Sequence, residues 1–108
     1  MTLMVTKAED AQPREYSGVR FERLAVGAET MVTKMHFESG DEVQPHDHPN
    51  EQSGYVISGR HRLIVDGEET ILEAGDSYSI PRGLEHAVEV LESGAVIDVF
   101  VPPREEYR

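Results

Sequence analysis

From Val19 onward, apolar and polar residues alternate in short runs with a period of two. Residues 19–26 (VRFERLAV) form the first run, and residues 29–38 (ETMVTKMHFE) form the second beyond Gly27. In an extended chain the second run puts Met31, Thr33, Met35 and Phe37 on one face and Val32, Lys34, His36 and Glu38 on the other, so His36 belongs to the polar side. QSGYVIS, RHRLIV, EETILEAG, a short run at 76–81, HAVEVLES and AVIDVFV follow, bounded by Gly, Pro and Asp. Asp66-Gly67, set between two such runs, predicts a tight hairpin. His61 lies between two arginines beside that hairpin and is expected at the surface. No stretch holds a helical period for more than about ten residues, so the pattern predicts an all-β sandwich or barrel. Ahead of it, Leu3 and Val5 give way to polar sequence through Pro13, so residues 1–16 read as an N-terminal arm and 17–108 as a single domain.

Candidate chemistry enters at Gly40–Gly59, GDEVQPHDHPNEQSGYVISG. If this stretch is extended, His46 and His48 share a face while Asp47 points away, and two converging imidazoles suggest a metal. Pro49-Asn50-Glu51 is a turn-like break after which the chain can return to the same site. Gln52 keeps the parity of the two histidines and is the expected third donor, with Glu51 in reserve. A second stretch, Gly75 to His86, carries the turn Pro81-Arg82-Gly83 and offers His86 as the fourth donor.

Together the two stretches resemble the cupin family: glycine, His-x-His, an acid or amide and a closing glycine, then glycine, Pro-x-Gly and a last histidine, all at matching spacing. The resemblance runs over about residues 17–104 and implies a double-stranded β-helix, the jelly-roll barrel. In such a barrel, Val, Ile, Leu and Met fill the closed end, and the open end admits a ligand to one divalent metal ion. Met31 and Met35 are accordingly core filler. This sequence departs from the family at two places, with Gln52 where Glu is common and Val90 where Asn often follows the last histidine. An amide in place of a carboxylate leaves the ion more Lewis-acidic, and such a donor set accepts nickel, zinc, iron, cobalt or manganese. The family also implies a homodimer, with the arm crossing to a partner's sheet.

Charge narrows the ligand. Ten basic against 21 acidic residues give a net charge of −11, which argues against nucleic acid as a partner and repels anionic substrates unless a local cation offsets the field. Arg60, Arg62, Arg82 and Arg104 are the candidates for that cation. With no cysteine, disulfides and thiolate chemistry are excluded. MTLMVTKAED lacks a signal-like apolar core and no run of about eighteen apolar residues occurs, so a cytoplasmic protein with no membrane partner is expected.

Near the C-terminus, Asp98 and Phe100 share a strand face and Arg104 follows two prolines. With HPNEQ, GYVISG and the Pro-x-Gly-x-x-His turn, this tail resembles the KdgF-type cupins of pectin degradation, which convert 4,5-unsaturated uronates to their open-chain keto form. That resemblance implies Asp98 as the catalytic acid or base, Phe100 as the aromatic that packs on the sugar ring, and Arg104 as the carboxylate binder. The expected activity is a metal-dependent, isomerase- or lyase-type ring opening of a small sugar acid. The alternatives are a cupin dioxygenase and a non-catalytic cupin that binds a small molecule through its metal.

Overall fold

The alternating runs become ten strands in the computed structural model, which describes residues 4–108. They are β1 (Gln12–Tyr16), β2 (Val19–Val26), β3 (Met31–Phe37), β4 (Glu42–His46), β5 (Glu51–Val56), β6 (Arg60–Val65), β7 (Glu68–Glu73), β8 (Ser77–Ile80), β9 (His86–Glu92) and β10 (Gly94–Val101). Among the described residues, helix is confined to two single 3-10 turns, Ala8–Asp10 and Glu105–Tyr107. Every strand pairing is antiparallel. The strands form a six-stranded sheet, ordered β1-β2-β3-β10-β5-β8, and a four-stranded sheet, ordered β4-β9-β6-β7.

Period-two burial explains why the sheets close on each other. On β3, Met31, Thr33, Met35 and Phe37 are buried and the residues between them are not, as the alternation predicts. Phe21, Met35 and Val96 from the larger sheet meet Val43, Leu63, Leu72 and Val90 from the smaller one in a single core. Each such side chain contributes about 1.5–3 kcal/mol when taken fully out of water. The Asp66-Gly67 hairpin forms as expected: Val65 pairs with Glu68, and both loop residues have positive φ, 49° and 82°, the geometry of the type I′ turn that Asp-Gly favours.

One expectation changes here. His61 is not a surface residue: it is 1% exposed, because β6 turns His61 and Leu63 inward and leaves Arg60 outside. Flanking arginines signal the outer face only for the positions they occupy, and His61 has the opposite parity. Of the arm, Leu3 lies outside the described residues and Val5 is exposed, whereas Gln12–Tyr16 adds an edge strand to the chain's own sheet, pairing Gln12 with Arg23 and Tyr16 with Val19. No helix among the described residues is long and apolar enough to cross a membrane.

Candidate metal centre

Three imidazoles converge at one end of the barrel. His46 closes β4 and pairs directly with His86, the first residue of β9, while His48 follows in the link to β5. One ring nitrogen from each lies within 4.8 Å of the others, and the His46 and His86 ring centroids are 4.3 Å apart. The backbone fixes their tautomers. Nδ1 of His46, His48 and His86 lies 2.9, 3.0 and 2.8 Å from the carbonyl oxygens of Gln44, Asn50 and Leu84, respectively. A carbonyl only accepts, so each Nδ1 must carry the proton, and each Nε2 presents a lone pair. Burial is the largest cause that lowers the proton affinity of all three, and the nearby Arg104 guanidinium lowers it further. At neutral pH the rings are therefore uncharged, and Nε2 of His86 is buried with no partner.

Gln52, near the start of β5, completes the arrangement. Its Oε1 lies 3.1 Å from Nε2 of His48. Two acceptors facing each other at that distance repel unless a cation lies between them. Three neutral nitrogens and one amide oxygen, with one nitrogen orphaned, make a donor set that suits a divalent transition metal. Glu51 is exposed and takes no part. His36 is also apart from the cluster, with its Nε2 at 2.5 Å from Glu22.

The same end holds a small cavity of about 30 Å³, lined by His46, Gln52, His86, Asp98, Phe100 and Arg104 among others. Asp98 is 4% exposed and accepts a 2.5 Å hydrogen bond from the Tyr78 hydroxyl. Burial raises its pKa to about 6, against the opposing pull of Tyr78, Gln52 and Arg104. Phe100 is 1% exposed and has two roles, lining the cavity and packing in the core with its ring 5.7 Å from that of His48.

Of the four arginines considered, only Arg104 reaches the cavity. Arg60 pairs with Glu73 and Arg62 with Glu89, both on outward positions of the smaller sheet, while Arg82 donates to the Pro49 carbonyl. Arg104 is 3% exposed. Its guanidinium packs on the rings of both Tyr16 and Tyr107, at 4.6 and 4.4 Å from their centroids. Nε donates to Glu106 at 2.9 Å and one terminal nitrogen to the Tyr107 hydroxyl at 2.7 Å, leaving donors for a ligand.

Sequence reasoning missed several of these contacts. Tyr78 has the inward parity of the buried Ile80, a signal present in the run at 76–81. Asn50, read as turn filler, is 4% exposed; its carbonyl orients His48 and its side chain donates to the Pro102 carbonyl at 2.6 Å, tying the tail to the metal loop. Tyr16 and Tyr107 carry no motif, and only the fold brings them together.

Known proteins share this fold. Residues 33–101 match the cupin domain family. The pectin degradation protein KdgF of Dickeya dadantii (strain 3937) is 33% identical over 103 residues, covering 92% of this chain and 94% of that protein. Among solved structures, an RmlC-like cupin from Shewanella frigidimarina NCIMB 400 superposes with a TM-score of 0.89 at 30% identity, covering 99% of this chain and 97% of that one. KdgF from Halomonas sp. also superposes with a TM-score of 0.89, at 26% identity, over 99% of this chain and 100% of that one. Matched over residues 33–101 to the family model and along 92% of its length to a KdgF protein, the chain belongs to the cupin family and has KdgF proteins among its relatives.

Proposed function

We propose that this cupin is a metal-dependent enzyme that opens the ring of 4,5-unsaturated uronates to give their keto form. The observation that carries the reading is one cavity in which a buried arginine, a buried carboxylate and converging metal donors all meet. The name of the Dickeya relative, a pectin degradation protein, supplies the substrate class, because pectin is built of uronic acids. His46, His48, Gln52 and His86 would hold the divalent ion, which when bound supplies Lewis acidity to substrate oxygens.

The chain's own residues do the rest. Arg104 offers its unused N–H groups to the substrate carboxylate, while the two tyrosine rings and the Glu106 carboxylate on Nε hold the guanidinium in place. Asp98 takes the proton of the anomeric hydroxyl. As C1 becomes a carbonyl, the bond from C1 to the ring oxygen breaks and its electron pair passes to the enolate at C5. Returning the proton to C4 completes the 5-keto product, so the reaction is an isomerisation with no oxidant and no second substrate. Phe100 packs on the sugar ring and, with the surrounding wall, keeps water from the enolate.

Mixing metal-loaded protein with an unsaturated galacturonate and following the conjugated-alkene absorbance tests this directly. Accelerated loss supports it, and a rate no faster than buffer eliminates it. Iron-dependent oxygen uptake with an enolic substrate would mark the dioxygenase instead, and tight binding without turnover the passive binder. A homodimer is part of the proposal and rests on the family resemblance; sedimentation at a monomer's mass would remove it.

A further inference from the structure

Asp98, Gly54 and Tyr78 form one row across three strands. Gly54 of β5 pairs with Asp98 of β10 on one side and with Tyr78 of β8 on the other. A residue between two others normally separates them with its own side chain, since neighbouring strands are about 4.8 Å apart. Here it has none. A Cβ placed on Gly54 would lie 2.1 Å from Cζ and 2.4 Å from the hydroxyl oxygen of Tyr78, so the ring occupies the volume that any other residue would fill. By lying over the glycine, Tyr78 spans the width of β5 and delivers its hydroxyl to Oδ1 of Asp98. The φ of Gly54 is not in the left-handed region, so close approach of the tyrosine is what the glycine permits.

The hydroxyl also has a second neighbour. Gln52, two residues before Gly54 on the same face of β5, lines the same cavity as Tyr78 and Asp98, and it opposes the rise that burial causes in the pKa of each. With its proton given to Asp98, the Tyr78 oxygen is free to accept from the Gln52 amide, whose oxygen lies 3.1 Å from Nε2 of His48. We propose that Tyr78 is a positioning residue of the metal centre: seated in the gap left by Gly54, it locks Asp98 and the Gln52 amide so that Oε1 faces the histidines. Partners of this kind, one step removed from a ligand, commonly change metal affinity 10- to 100-fold.

The proposal deepens the metal-centre reading, so its test measures metal rather than turnover. Cobalt(II) is titrated into the intact, metal-stripped chain, recording its dissociation constant, its visible absorption spectrum and the thermal midpoint of the protein. Tyr78→Phe keeps the ring and removes the hydroxyl. Its cobalt dissociation constant should rise about 10- to 100-fold and its spectrum should change. Gly54→Ala, which displaces the ring, should do the same, and if either variant fails to fold the other decides. On a Gln52→Ala background, Tyr78→Phe should change affinity by less than about twofold, because the group it positions is gone. A folded Tyr78→Phe with a lower thermal midpoint but wild-type affinity and spectrum overturns the proposal, as does an undiminished effect on the Gln52→Ala background. Wild-type protein that binds no cobalt overturns the metal-centre reading, and this proposal with it.

Discussion

The barrel buries histidines in two places and treats them in opposite ways. At the mouth, His46, His48 and His86 each commit Nδ1 to a backbone carbonyl and turn Nε2 towards one another. Deeper in, His61 commits Nε2 to the Ser58 carbonyl at 3.1 Å, and its Nδ1 is buried with no partner, beside the Phe37 ring at 5.2 Å. Burial lowers proton affinity in both places, and each has an orphaned nitrogen. What differs is what the lone pair faces. Three lone pairs pointing at one spot make a coordination site, whereas one pointing into an apolar core is only an unmet hydrogen bond that costs about 1–3 kcal/mol. Convergence, not burial, marks the candidate metal ligands.

The largest test of that contrast is to delete the rings one at a time. Alanine at His46, His48 or His86 should each abolish metal retention and activity, while His36→Ala and His61→Leu keep the metal, as elemental analysis of purified protein would show. Metal retained by His86→Ala and lost from His61→Leu would invert the comparison. Next in size is Asp98→Asn, which should keep the metal yet lose roughly 10²–10⁴-fold in rate, because an amide of the same shape cannot take up the proton. Steady-state kinetics on an unsaturated uronate would measure the drop. Arg104→Ala should instead raise KM through loss of the charge-assisted pair. Gln52→Glu should hold the metal as tightly or more tightly and turn over more slowly, since the added negative charge weakens the ion's pull on substrate oxygens; calorimetry and rate together would show it.

The smallest effect belongs to His61. Its pKa is lowered from an ordinary value of 6.5, by burial. Above that pH the ring is neutral in folded and unfolded chains alike and contributes nothing to the pH slope. Below it, the unfolded chain takes up a proton that the folded chain resists, so stability falls as pH falls. His61→Leu should flatten the decline in urea midpoint between about pH 6.5 and 5, and an unchanged slope would show that the ring becomes protonated in place.

Legibility in the sequence followed the range of the interaction. The strands of β3 and the Asp66-Gly67 turn were visible because period-two burial and turn geometry are local. His46, His48 and Gln52 are equally local, and the family spacing adds His86. The sequence also put Asp98, Phe100 and Arg104 forward, and the fold draws them to the same cavity. His61 was misjudged because its charged neighbours outweighed its parity. Tyr16 and Tyr107 could not be read at all: nothing near either predicts the other, and only closure of the barrel sets them 5.7 Å apart, both against Arg104.

The position of that cluster late in the chain has a consequence for how the molecule is made. Since a ribosome builds the chain from residue 1 upwards, all three imidazoles and the carboxylate of Asp98 exist before Arg104 and Tyr107 do. On the proposed reading, a chain clipped near residue 101 would carry the strands and the metal donors with no Arg104 to receive an acid, so proteolysis in the 102–107 segment would spare metal uptake and remove uronate binding.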